Sequence, residues 1–314
     1  MTTYRAFGLI VASGVPLPGL PEATSRAADL VLESAELPIG GREARTVRRV
    51  RLPNGRVAFT VARWGTRTLV RFPRLADFLV SSDGRRVGCA TRGPNRARAA
   101  AHLFQAQVIP LALSRQGRFV LHASAVETPA GAVAFLGVAG CGKSTLGASF
   151  VREACPLLAD DGLLLTEQHG ALAGVPSYPE IRLWPDAFAV LSRPGESSET
   201  WHPAGKRSLA AGGERWPFGS RPVPLRRLYV LDVPDAATDR AGVTIAPLTR
   251  REGFVELVRH SFRLDFDDRP RLQEEFDRIG RIASTCAVYR LAFAREWSRL
   301  AAVRKAVLEH LAAA

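Results

Sequence analysis

Cysteine is scarce, four in 314 residues, and Cys89, Cys141, Cys155 and Cys286 form no Cys-x-x-Cys pair and have no histidine nearby. That scatter excludes a zinc site and a disulfide scaffold. Long hydrophobic runs are also missing. No apolar stretch approaches the roughly 20 residues that span a bilayer, and Met1-Thr2-Thr3-Tyr4-Arg5 lacks the basic-then-apolar order of a signal peptide. The expectation is a soluble cytoplasmic protein with no membrane partner. Lysine is nearly absent, found only at Lys143, Lys206 and Lys305, so the net charge of +13 is an arginine excess. Those arginines are spread along the chain, and no motif for groove or base reading accompanies them. They are read as a compositional bias rather than a nucleic-acid footprint. An anionic peptide partner stays open.

What the chain does have is apolar content, 46% of its residues, enough for a large core and, at this length, about two domains. Residues 1–95 read as a β-rich module of short alternating runs: 5–11, 29–37, 46–52, 57–63 and 68–72. Pro53-Asn54-Gly55 and Trp64-Gly65-Thr66 are tight connections that predict a meander. Gly93-Pro94-Asn95 breaks the chain before a helical stretch, 96–114, which opens a second domain over 96–314. There, 119–126, 132–136, 157–165, 228–233 and 288–293 read as strands, and 251–262, 271–283 and 296–311 as helices. The Gly, Pro and Ser cluster over 193–224 reads as a long loop, mobile over the site.

The strongest motif is Gly137-Val138-Ala139-Gly140-Cys141-Gly142-Lys143-Ser144-Thr145, entered from the apolar run Ala132–Leu136 and left into the helix-compatible Leu146–Val151. This is a complete phosphate loop in a strand–loop–helix frame. Glycines at 137, 140 and 142 let backbone N–H groups approach phosphate oxygens. Lys143 reaches the β- and γ-phosphates, and Ser144 is placed to ligate Mg²⁺. Ala139, Cys141 and Thr145 complete the nucleotide-binding span, and the helix start adds a positive dipole end. Cys141 sits among N–H dipoles of the kind that lower a thiol's pKa.

Asp160-Asp161 follows Lys143 by only 17 positions, so one short helix returns the chain to a strand whose carboxylates lie beside the phosphates. One carboxylate stabilises Mg²⁺ and the other accepts a proton from an attacking hydroxyl. Glu180-Ile181-Arg182 places Glu180 and Arg182 on one strand face. The pairs Lys206-Arg207 and Arg250-Arg251 are further candidates for charge on a phosphoryl group.

His122-Ala123-Ser124-Ala125-Val126, the loop 137–145, Leu158-Ala159-Asp160-Asp161 and Glu180-Ile181-Arg182 stand in an order and spacing that resembles the catalytic domain of the bacterial HPr kinase/phosphorylase family. The resemblance covers about residues 118–186. It implies an α/β fold: a P-loop kinase core of the HPr kinase/phosphoenolpyruvate carboxykinase type, here with an N-terminal β-rich domain. It implies ATP and Mg²⁺ as cofactors. It further implies Lys143 and the glycines on the nucleotide phosphates, Ser144 and Glu180 on the metal, Asp160 as the base, Asp161 supporting metal or phosphate, and His122 at the edge of the phosphate site. The sequence departs from the family's pattern at Ala123 and Ala139, and at Leu183-Trp184-Pro185-Asp186 in place of a glycine-rich stretch. Tyr4-Arg5-Ala6-Phe7-Gly8-Leu9 and Pro16-Leu17-Pro18 look more like the HPr-kinase-like enzymes found with lasso-peptide biosynthesis. That resemblance implies a serine/threonine kinase acting on a precursor peptide or small protein, and relatives that often form homo-oligomers. A small-molecule kinase, an HPr-type protein serine kinase/phosphorylase and a non-catalytic nucleotide-sensing module are the alternatives.

Overall fold

The computed structural model describes residues 1–25, 27–37, 44–51, 55–93, 96–168, 170–193, 195–196, 205–232, 242–263 and 268–313. It is a mixed α/β protein with several sheets. Two compact units emerge: 1–119 with 262–274, and 120–261 with 275–314. The boundary read from the sequence at residue 95 and this one differ for a physical reason. The helical stretch after 95 is tied to the first unit's sheet, where Arg115, 6% exposed, donates from Nε to the Ser82 carbonyl at 3.1 Å. Arg271 in turn donates to the Arg115 carbonyl at 2.7 Å, which holds 262–274 to the same unit.

In the first unit eight strands form one sheet: β1 (Thr2–Ala6), β2 (Leu9–Ser13), β3 (Leu30–Ser34), β4 (Arg45–Arg51), β5 (Val57–Trp64), β6 (Arg67–Phe72), β7 (Ala76–Val80) and β8 (Arg86–Thr91), in the order β1-β2-β3-β8-β7-β6-β5-β4. The meander read from the sequence is present and runs two strands further, through β7 and β8. Pro53 and Asn54 of the expected 53–55 turn lie outside the described residues. The run 5–11, read as one strand, is a hairpin. Phe7 and Gly8 both take positive φ, 54° and 68°, the turn whose twist matches antiparallel strands. After β8, α1 (Ala97–Leu103) and α2 (Ile109–Arg115) are joined by a π-helical turn, Phe104–Val108. Pro110 has no N–H to give the preceding turn, and the wider π geometry absorbs that loss. Phe78 of β7 stacks on Phe104 at 6.4 Å.

The second unit contains β9 (Phe119–Leu121), β10 (Ser124–Thr128), β11 (Gly131–Leu136), β12 (Leu157–Ala159), β13 (Leu163–Gln168), β14 (Ala171–Val175), β15 (Glu180–Leu183), β16 (Arg207–Ala210), β17 (Val223–Leu231), β18 (Thr244–Pro247) and β19 (Val288–Ala292). The main sheet runs β12-β10-β11-β17-β14-β13-β9, with β19 also beside β17 and β18 on β19. Strands β11, β17 and β19 are parallel, while β10 and β11 form the expected antiparallel hairpin. Helix α3 (Lys143–Arg152) follows β11, α4 (Pro185–Leu191) follows β15, and α5 (Arg250–His260), α6 (Arg269–Thr285) and α7 (Leu300–Ala312) come later. Helix α6 begins among the first unit's residues and ends among the second's.

Helix α3 presses against β10. A Cβ at Gly147 would lie 2.2 Å from Ser124 Oγ, so this mid-helix glycine, a weak helix former, is used for closeness. Phe135, Phe150 and Tyr229 form the centre of the core, with ring centroids 5.5 and 6.1 Å apart. Between 193 and 224, where the sequence suggests only loop, β16 pairs antiparallel with β15. Residues 194 and 197–204 of that region lie outside the described residues.

Candidate active site

The glycine-rich loop leaves β11 at Gly137 and enters α3 at Lys143. Gly137 has a φ of 146°, and a Cβ there would lie 2.6 Å from Cys141 Sγ, so the loop can close only over a glycine. Gly140 and Gly142 follow with φ of 81° and 92°. Gly142 is the N-cap of α3 and offers no side-chain cap. The first-turn N–H groups of a ten-residue helix therefore lack an intrahelical acceptor, the arrangement that attracts an anion. Val138, Ala139 and Gly140 are exposed, whereas Cys141 is 1% exposed and faces the loop's own interior. Ser144 and Thr145 are half-buried in the first helical turn.

Lys143 is 7% exposed. Its ammonium donates to the carbonyls of Gly137 at 2.7 Å and Val138 at 3.1 Å, and lies 4.0 Å from Cys141 Sγ. Burial lowers its pKa, and Cys141, Asp161 and Asp160 pull in the opposite direction. Both carbonyls belong to the loop itself, so the ammonium folds back onto the segment that leads into its own helix.

Asp160 and Asp161 interrupt what the sequence suggests is one strand, separating β12 from β13. The two side chains then part company. Asp160 is 1% exposed; its Oδ2 accepts the Arg182 backbone N–H at 2.9 Å, and its Oδ1 has no hydrogen-bond partner among the described residues. Burial, then the neighbouring Asp161 charge, raise its pKa. Asp161 takes the left-handed backbone region, φ 76°, a strained position for a residue with a Cβ. Two bonds hold it there. Arg182 Nη2 pairs with its Oδ2 at 2.6 Å, and His122 Nδ1 meets its carbonyl at 2.9 Å. Burial opposes ionisation of Asp161, but Arg182, His122, Lys206 and Lys143 together override it and hold the carboxyl well below the usual range.

Arg182 organises this pair. Its side chain is 1% exposed, its backbone holds one aspartate, its guanidinium holds the other, and it also donates to the Tyr178 hydroxyl. On β15 the alternate residues Ile181 and Leu183 enter the core. Glu180 and Arg182 therefore share the opposite face, as expected from the sequence, with Glu180 half-buried.

His122 sits in the break between β9 and β10, where its N–H donates to the His260 carbonyl at 2.6 Å. Because a carbonyl only accepts, Nδ1 carries the proton of the neutral ring and Nε2 is the acceptor. Burial, with Lys143 nearby, lowers its pKa to about 4. His260 is 8% exposed beside Glu256, 3.4 Å from its Oε2.

The structure thus brings together Lys143, Asp160, Asp161, His122 and Arg182. Arg250 lies elsewhere, bonded to Ser284 at the start of α5. Three residues were not assigned from the sequence. Tyr178 and His260 carry no recognisable motif. Arg295, which donates to the Gly140 carbonyl at 3.4 Å, is one arginine among many. Among the described residues no group of three His, Cys, Asp or Glu side chains is poised to hold a metal ion.

No family model and no curated protein matches the chain. Among solved structures it is similar to the HPr(Ser) kinase/phosphatase from Coxiella burnetii, at 14% identity over 52% of this chain and 97% of that one, with a TM-score of 0.26. At that score the likeness bears no weight, and the site stands on its own side chains. No helix among the described residues is long and apolar enough to cross a membrane.

Proposed function

We propose that the chain is an ATP-dependent kinase that transfers the γ-phosphoryl group to a Ser or Thr hydroxyl of a peptide or small protein. A ribosomal precursor peptide of the lasso type is the acceptor favoured by the sequence resemblance. One observation carries the reading. Beside a glycine-rich loop, two adjacent aspartates are held differently, one paired with Arg182 and one buried with an oxygen that has no hydrogen-bond partner among the described residues.

The cradle fits phosphate, since glycines at positive φ at 137, 140 and 142 keep side chains off a loop that leads into an uncapped helix start. Ser144, Glu180 and Asp161 supply hard oxygen donors of the kind Mg²⁺ takes, few enough that the ion would keep waters and phosphate oxygens. When bound, the ion would neutralise phosphate charge. Lys143 moves its ammonium from the loop carbonyls to the phosphates. Asp160, whose pKa burial raises, takes the proton of the acceptor hydroxyl. The hydroxyl oxygen forms the new bond to the γ-phosphorus, the bond from that phosphorus to the β–γ bridging oxygen breaks, and ADP leaves with the electron pair. Such transfer is mostly positioning and charge neutralisation. A sensing module would have no use for a buried carboxyl that can take a proton beside the loop.

The test is incubation of the purified chain with ATP, Mg²⁺ and Ser-containing peptides, followed by mass spectrometry. A peptide gaining one phosphoryl group in the wild type, with loss in a folded Lys143→Ala variant that keeps its circular dichroism spectrum, is the expected result. Equal transfer by Lys143→Ala would remove the phosphate-loop assignment.

A further inference from the structure

The chain has only three lysines among 43 basic residues, and two of them meet at one place. Lys143 belongs to the phosphate loop. Lys206 lies 46 residues beyond Asp160 in sequence, yet it is an electrostatic neighbour of Asp160, Asp161 and Lys143. The fold explains how. Register in the β15–β16 hairpin pairs Leu183 with Arg207, so Lys206 enters the hairpin just past that pair. There its ammonium lies 5.8 Å from the centre of the Trp184 ring. Trp184 is 43% exposed despite its size, and an aromatic face of this kind holds a cation without neutralising it.

Lys143, Lys206 and Arg182 stand among Asp160, Asp161 and Glu180, with Asp161 already paired to Arg182, so the two ammonium groups are the cations not held in that pair. In a chain that uses arginine almost everywhere, a compact ammonium on a flexible stem stands at two positions beside the aspartate pair. An ammonium acts as a point charge that follows a moving group, whereas a guanidinium is a fixed fork. We propose that Lys206 is a second phosphoryl cation: carried by the β15–β16 hairpin and steadied on Trp184, its ammonium contacts the γ-phosphoryl group of the bound nucleotide. This rests on the nucleotide reading above and assigns that site a residue on a different element from the loop.

A contact confined to the γ-phosphoryl group discriminates between ATP and ADP. Wild type, Lys206→Met, Lys206→Gln and Lys206→Arg are compared for ATP affinity, ADP affinity and phosphoryl transfer, with unfolding curves as the control for structure. Lys206→Met is expected to bind ADP within about twofold of wild type, to bind ATP about tenfold more weakly, and to lose about 10²-fold in transfer, in line with removal of one electrostatic donor from a transition state. Lys206→Gln should behave similarly, and Lys206→Arg should regain most of the ATP preference. Trp184→Leu should show a smaller loss in the same direction. Wild-type ATP to ADP ratios and transfer in Lys206→Met and Lys206→Gln would overturn the assignment while leaving the nucleotide reading intact. A wild-type chain that binds neither nucleotide would overturn both.

Discussion

In the first unit Asp77 stands on β7 at 3% exposure, and its Oδ2 takes Arg71 Nε at 3.2 Å and Arg92 Nη2 at 2.5 Å. In the second, Asp160 stands at the end of β12 at 1% exposure, gives Oδ2 to a backbone N–H, and has a second carboxylate as its chain neighbour. Each leaves Oδ1 without a hydrogen-bond partner among the described residues. The difference is charge. Two partly exposed arginines pair with Asp77. The guanidinium nearest Asp160 is spent on Asp161 instead. A buried carboxyl whose own cation is given to its neighbour is a group that can change its proton occupancy, and that is the property a general base needs.

Asp160→Asn breaks the comparison most sharply. The amide keeps size and still accepts the Arg182 N–H, but it takes no proton. Transfer should fall roughly 10²–10⁴-fold while ATP affinity, followed by titration, stays near wild type. Wild-type turnover should also decline on the acid side earlier than an ordinary carboxylate near pH 3.9 would dictate, because burial raises the Asp160 pKa and protonation removes the base. Full transfer by the variant would reject the role, and loss of ATP binding would reassign Asp160 to holding the nucleotide.

Arg182→Met tests the other half of the pair. It removes the guanidinium from a pairing in which the arginine side chain is 1% exposed, leaving Asp161 ionised in a strained backbone position. Breaking a buried pair on one side costs about 3–5 kcal/mol, read as a shift in the urea midpoint. Arg182→Lys, a point charge in place of a fork, should recover part of the stability. A variant as stable as wild type would show that Asp161 is held by His122 and solvent instead.

The loop was legible in the sequence because its chemistry is contiguous: the glycines, Lys143, Ser144 and Thr145 fall within nine consecutive positions, and their neighbours already read as a strand and then a helix. The aspartate pair was legible as a pair but not as two different groups. Nothing in two identical adjacent letters says that one will meet Arg182 and the other will not. Lys206 was visible only as half of a basic dipeptide, since its place depends on a four-residue strand in a stretch rich in Gly and Pro. The hairpin at Phe7-Gly8 was hidden for a similar reason. A phenylalanine at φ 54° carries no turn signature, and burial of its ring at 1% exposure holds it there.

Between these two aspartates in magnitude lies His122, which sharpens the comparison through pH. Its folded pKa of about 4 lies below the unfolded value near 6.5, so the unfolded chain binds more protons across that window. Its contribution to stability is whole above pH 6.5 and is lost as pH falls toward 4, by roughly 3 kcal/mol. Burial lowers the His260 pKa as well, which adds in the same direction. Urea unfolding at pH 7 and pH 5 should show the loss in wild type and a flatter profile in His122→Asn. An unchanged slope would mean that His122 is not held neutral.

Asp77→Asn should have the smallest effect and gives the comparison its control. The amide retains an oxygen for Arg71 and Arg92, and both arginines are about one-third exposed, so water takes over much of what the carboxylate provided. Hydrogen bonds to charged groups are worth about 1.5–3 kcal/mol, and solvent screening brings the expected loss of unfolding free energy to about 1–2 kcal/mol. Phosphoryl transfer and ATP affinity should match wild type at a temperature where both proteins are folded. A loss of transfer in Asp77→Asn as large as that in Asp160→Asn would break the distinction: burial of a carboxyl in either sheet would then matter to activity, and the surroundings of Asp160 would no longer explain it.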